Sequence, residues 1–77
     1  MGLHMIRQLE REMMMLAGPL APFVVKKQIK DMGFQKETFP ADRMGELIDK
    51  VVDHGIYDES VKPKTKKALR KKILGTT

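Results

Sequence analysis

The chain has 77 residues, no Cys and a formal net charge of +5, so it has no room for a second independent core and cannot form a disulfide framework or a cysteine metal site. One core of this size rarely supplies more than about 3–5 kcal/mol of net stability, and association with another copy or a partner is the expected aid. The charge is uneven: residues 62–77 carry seven cations and no acid, whereas residues 1–61 hold the other 8 basic residues against all 10 acids.

Four stretches have helical spacing and none has the alternation of a half-buried strand. In the first, Leu3, Ile6, Leu9, Met13 and Leu16 recur at intervals of three or four until Gly18-Pro19, which predicts a helix over 3–17. The second runs over 19–32, with Leu20, Phe23, Val24, Val25, Ile29 and Met32 as its apolar positions; Pro19 and Pro22 suit a first turn, where no amide hydrogen is needed. The third, over 40–54, presents Met44, Leu47, Ile48, Val51 and Val52 as a stripe, with Thr38 or Phe39 as cap and Pro40 in the first turn. Both the second and third end in Asp-x-Gly-apolar, Asp31-Met32-Gly33-Phe34 and Asp53-His54-Gly55-Ile56. This pattern predicts left-handed Gly33 and Gly55, with Phe34 folded back on Ile29 and Ile56 on Val51. The fourth, over 61–74, places Val61, Thr65, Ala68, Leu69 and Ile73 on one face and Lys64, Lys67 and Lys71 opposite, with Gly75 as its stop. The expected fold is all-α: a compact bundle of four short helices in one domain spanning 1–77. The His4-Met5 pair matches what a cloning site leaves ahead of a native first residue, which marks residues 1–4 as a vector remnant.

The residue types that carry chemistry are sparse. His4 and His54 are the only imidazoles, with no i, i+4 partner to make a metal site; His54 reads as a last-turn cation. Ser60, the only serine, has no nucleophile-elbow glycines and reads as a helix-start residue. Asp49 and Asp53 share a helix face and read as solvated carboxylates. No glycine-rich phosphate loop is present. No enzyme, cofactor or metal is therefore expected. The longest apolar run, Met13 to Ala17, is far short of the roughly 20 residues a bilayer crossing needs. Arg7, Glu10, Arg11 and Glu12 break up any signal-peptide core. With the lack of Cys, these features give a cytoplasmic expectation.

Two segments invite a partner. Met13, Met14 and Met15 cannot all face one core, so at least one points outward and the run is a candidate self-contact or protein-partner contact. Lys62, Lys64, Lys66, Lys67, Arg70, Lys71 and Lys72 could neutralise phosphates and make a candidate nucleic-acid contact. The aromatics Phe23, Phe34, Phe39 and Tyr57 lie near helix ends, apart from the basic run, and read as core or cap residues instead of a base-stacking platform.

The segment Leu16-Ala17-Gly18-Pro19-Leu20-Ala21-Pro22-Phe23-Val24-Val25-Lys26-Lys27 resembles the Gly-Pro-Ile-Ala-x-x-Leu-Val-x-Arg segment of small helical domains of uncharacterised function attached to prokaryotic signalling and regulatory proteins. The resemblance spans residues 16–54 and rests on Gly18, Pro19, Ala21, Val25 and Lys27; the tail at 62–77 lies outside it. It implies an accessory helical module with no catalytic residue. The expected function is a non-enzymatic helical interaction module that self-associates or docks on a protein, the alternative being a nucleic-acid binder using the basic helix.

Overall fold

Four α-helices follow the four periodic stretches: α1 Gly2–Ala17, α2 Ala21–Asp31, α3 Met44–Gly55 and α4 Lys62–Leu74, with 3-10 turns at Lys36–Thr38 and Ala41–Arg43 between α2 and α3. This computed structural model describes residues 2–75. Met1, counted in the expected vector remnant, and Thr76 and Thr77, the end of the expected basic tail, lie outside the described residues. The described residues contain no strand, and their radius of gyration is 11.2 Å, close to the ~11.5 Å of a compact chain of this length.

In α1, Ile6, Leu9 and Met13 are buried at the i, i+3, i+7 spacing of one helix face. The helix stops at Gly18, whose φ of +90° suits a residue without Cβ and whose N–H donates to the Met14 carbonyl at 3.0 Å. Pro19 has no N–H to add a second closing bond. α2 begins at Ala21, not at 19, so Pro22 lies in its first turn and Pro19 precedes it, and it buries Ala21, Val25, Gln28 and Ile29. Its end is the expected one: Gly33 has φ +88°, its N–H donates to Lys30 (2.9 Å), and the Phe34 N–H reaches back to the Ile29 carbonyl (3.1 Å). These are the paired bonds of a Schellman stop.

Three details of α3 correct the expectation. The α-helix starts at Met44, not at 40, because Pro40 is extended and the chain winds through Ala41–Arg43 as a 3-10 turn first. Neither Thr38 nor Phe39 caps α3, whose N-cap position is Arg43; the Thr38 Oγ1 accepts from the Gln35 N–H at 3.3 Å and closes the earlier turn. At the other end Gly55 is not left-handed: it is the last helical residue, and an extended Ile56 caps α3 with its N–H on the Val52 carbonyl. The reason is tertiary. A Cβ on Gly55 would lie 2.9 Å from the Met13 Cε and 3.8 Å from a Val24 methyl, so the glycine serves the approach of α1 and α2, not a reversal of the chain.

The helices run alternately up and down. Gln8 donates to the Lys72 carbonyl at 3.2 Å and Lys72 to Glu12 at 3.1 Å, while Leu16 shares a groove with Lys64 and Thr65, so α1 and α4 are antiparallel neighbours. Arg70 on Asp49 and Lys66 on Asp53 set the same relation between α3 and α4. The α1–α2 and α3–α4 connections therefore meet at one end of the bundle. The core is the apolar stripe of α3 (Met44, Leu47, Ile48, Val51, Val52), closed by α1, α2, Phe39 and two residues of α4, Leu69 and Ile73. The expected apolar face of α4 is narrower than its sequence suggested, since Val61 and Ala68 are exposed.

Candidate functional site

α4 buries Leu69 and Ile73, and four of its cations reach carboxylates of other segments. Asp49 and Asp53 are one helical turn apart on α3, and Arg70 and Lys66 are one turn apart on antiparallel α4, so the two pairs meet in register. Arg70 Nη2 donates to Asp49 Oδ2 at 2.6 Å and to the Gly45 carbonyl at 3.2 Å. Gly45 permits this approach, because a Cβ there would sit 3.0 Å from the guanidinium. Lys66 lies 2.9 Å from Asp53 Oδ1. The hydrogen bond from Lys66, followed by its charge, holds the Asp53 carboxyl below its ordinary range, and the same contact raises the Lys66 ammonium above its own. Lys62 bonds Glu59 at 2.9 Å and the Asp53 carbonyl at 3.2 Å, and Lys72 bonds Glu12. The expectation of solvated carboxylates at Asp49 and Asp53 is thus overturned: both are partners of α4.

Of the seven cations singled out in the sequence, Lys62, Lys66, Arg70 and Lys72 are engaged in these pairs. Lys64, Lys67 and Lys71 are exposed and form no ion pair among the described residues. Their spacing of three and four places them on one outward stripe, opposite Leu69 and Ile73 as expected. Asp58 is held below its ordinary range by hydrogen bonds from the Ser60 hydroxyl (2.7 Å) and N–H (3.0 Å), an arrangement that shapes the loop ahead of α4. His54 stands in the last turn of α3, and among the described residues no three His, Asp or Glu side chains cluster as a metal site requires.

The methionine run divides. Met13 is fully buried, whereas Met14 and Met15 are exposed, Met15 at 71 %. They are not alone. Leu16, Leu20, Phe23 (70 %), Tyr57 (92 %) and Val61 are the other large apolar or aromatic side chains left uncovered among the described residues. All seven belong to the last turn of α1, the α1–α2 connection, the first turn of α2, or the α3–α4 connection, which the up-and-down topology gathers at one end. This corrects the expectation that Leu16, Leu20, Phe23 and Val61 face the core and that Tyr57 is a core or cap residue. Five of the six residues from Leu20 to Val25 are apolar or aromatic, so periodicity admits more than one helix phase. Tertiary packing settles it by burying Ala21 and Val25 and turning Leu20 and Phe23 out.

The opposite end is closed. Phe34 meets Phe39 edge-on at 5.4 Å with rings at 76°, Arg43 lies 5.6 Å above the Phe34 ring and bonds Glu46, and Lys36 bonds Glu10. Beside this cap is an open groove of about 460 Å³ floored by Ile29 and Phe34 and rimmed by Lys26, Lys30 and Lys36. The described residues include no helix long and apolar enough to cross a membrane. No protein-family model matches this chain, and neither a curated protein nor a solved structure is significantly similar to it.

Proposed function

We propose that this chain is a non-enzymatic, cytoplasmic helical interaction module that self-associates through the apolar end of its bundle. The observation that carries this reading is the gathering of Met14, Met15, Leu16, Leu20, Phe23, Tyr57 and Val61 at one end. Large apolar side chains exposed singly are ordinary on a monomer, whereas several exposed at one end mark an interaction surface.

Charge favours a second copy as the occupant. The chain as a whole is +5, so most mutual approaches of two copies are repulsive. Residues 13–25 carry no charge, and in 55–65 Asp58 and Glu59 balance Lys62 and Lys64. The apolar end is therefore near neutral, and burial there is unopposed. A small core also gains most from covering apolar positions it cannot place inside.

Light scattering across a concentration series tests the reading. The parent is expected to dimerise, and Leu20→Ser with Phe23→Ser is expected to be monomeric with an unchanged helical circular-dichroism spectrum, since both side chains are exposed. A parent that stays monomeric at high concentration, or a double variant that still dimerises, refutes the assignment.

A further inference from the structure

Docking of α4 sorts its charges. Four of its cations lie on carboxylates of the body, and what faces solvent is Lys64, Lys67 and Lys71, spaced i, i+3, i+7 along about 10.5 Å of helix axis. No acid occurs from residue 60 to residue 75. Antiparallel α1 beside it exposes Arg7 and Arg11, also one turn apart and outside any ion pair among the described residues. We propose that Lys64, Lys67 and Lys71, with Arg7 and Arg11 of the neighbouring helix as further cations, form a contact surface for the phosphate backbone of duplex nucleic acid that does not read its sequence. The proposal stands apart from self-association, which uses uncharged residues at the bundle end.

The composition of the surface selects the partner. An acidic protein surface would need an apolar centre to hold it, and the three-lysine stripe contains no large apolar side chain. Its affinity must come from charge alone, and a duplex supplies that through release of condensed counterions. Flexible ammonium groups suit phosphates as point charges. A single strand gains affinity from aromatic stacking, and no aromatic residue lies in α1 or α4. Base-edge reading by Asn is excluded by the absence of that residue from the chain.

The test is fluorescence anisotropy of the full chain with a labelled mixed-sequence DNA duplex, the single strand of the same length and polyglutamate, across a salt series. With three phosphates neutralised, the log–log slope on duplex is about −2.7, so affinity falls about 40-fold between 50 and 200 mM salt, and about 500-fold if all five cations engage. Lys64→Gln, Lys67→Gln and Lys71→Gln together are expected to weaken duplex binding at least tenfold. Lys26→Gln, Lys27→Gln and Lys30→Gln, the same charge change on exposed positions of α2, are expected to leave it within threefold. Should the first triple fail to fold by circular dichroism, Arg7→Gln with Arg11→Gln is expected to reduce the slope by about 1.8. The proposal is overturned if the parent does not bind duplex at low salt, if the α4 triple binds as tightly as the parent, or if the α2 triple loses as much. Single strand or polyglutamate bound as tightly as duplex also overturns it, assigning the surface to unpaired nucleic acid or to an acidic protein.

Discussion

Two helix ends in this protein carry the same four-residue signature and are built differently. At Asp31-Met32-Gly33-Phe34 the glycine turns left-handed, the chain folds back, and Phe34 joins Phe39 and Arg43 in a closed cap. At Asp53-His54-Gly55-Ile56 the glycine stays helical, the chain continues extended, and Tyr57 is left almost wholly exposed. The difference lies in what meets the glycine. A Cβ added at Gly33 would meet nothing within 4 Å, whereas one at Gly55 would lie 2.9 Å from the Met13 Cε and 3.8 Å from a Val24 methyl. A glycine after a helix thus has two uses, reversal and close approach, and only its neighbours in space distinguish them. One use closes an end of this molecule and the other leaves Tyr57 exposed at the opposite end.

The largest test of that contrast is truncation of the aromatics. Phe39 is 3 % exposed, and Phe39→Ala is expected to cost about 3–5 kcal/mol, enough to unfold most of a domain this small. Tyr57→Ala is expected to stay within about 0.5 kcal/mol in the monomer. Urea unfolding at low protein concentration measures both, and a Tyr57→Ala loss comparable to that of Phe39→Ala would mean the open end is packed after all.

A smaller difference separates the glycines. Gly33→Ala places a Cβ in the left-handed region and is expected to cost about 1 kcal/mol. At Gly55 the backbone is helical and the obstructing atom is the mobile end of Met13. The helix propensity gained by Ala and the small shift of that methyl oppose each other, so Gly55→Ala is expected to change stability by less than about 0.5 kcal/mol. Equal losses at the two sites would overturn the distinction.

The smallest effect concerns the charges that hold α4 beside the open end. Asp53 is acidified by Lys66, so folding favours its ionised form. Its contribution is complete above the ordinary carboxylate range and is lost as pH falls through the lowered folded value. Lys66 is shifted upward, so its contribution is complete below the ordinary lysine range and is lost as pH rises through the raised value. Asp53→Asn is expected to flatten the acid limb of Tm against pH, modestly and less so in high salt, because the pair is half exposed. An acid limb identical to the parent's at low salt would show that the pair is not formed in solution.

What was legible in the residues was local. The spacing of Met44, Leu47, Ile48, Val51 and Val52 allows a single helix phase, and α3 buries those five. A Cβ at Gly18, Gly33 or Gly75 would meet nothing within 4 Å, and each takes the left-handed conformation suited to a helix stop. Lys64, Lys67 and Lys71 fall opposite Leu69 and Ile73 by period alone. The apolar end was only half visible: a run of three methionines must expose at least one, but the phase of α2 cannot be read where five of six residues from Leu20 to Val25 are apolar or aromatic.

The sequence by itself thus determined the all-α class, the number of helices and the segregation of positive charge to the last of them, because each follows from periodicity, turn chemistry and composition within a few residues. Only the tertiary structure decided which cations remain free. Asp49 and Asp53 meet Arg70 and Lys66 because α3 and α4 run antiparallel in register, a relation between residues some 13 to 21 positions apart that no local pattern encodes. It likewise decided that Gly55 is helical and that Leu20 and Phe23 face outward, since in both cases local preferences nearly balance and contacts with distant residues of α1 and α3 tip the choice.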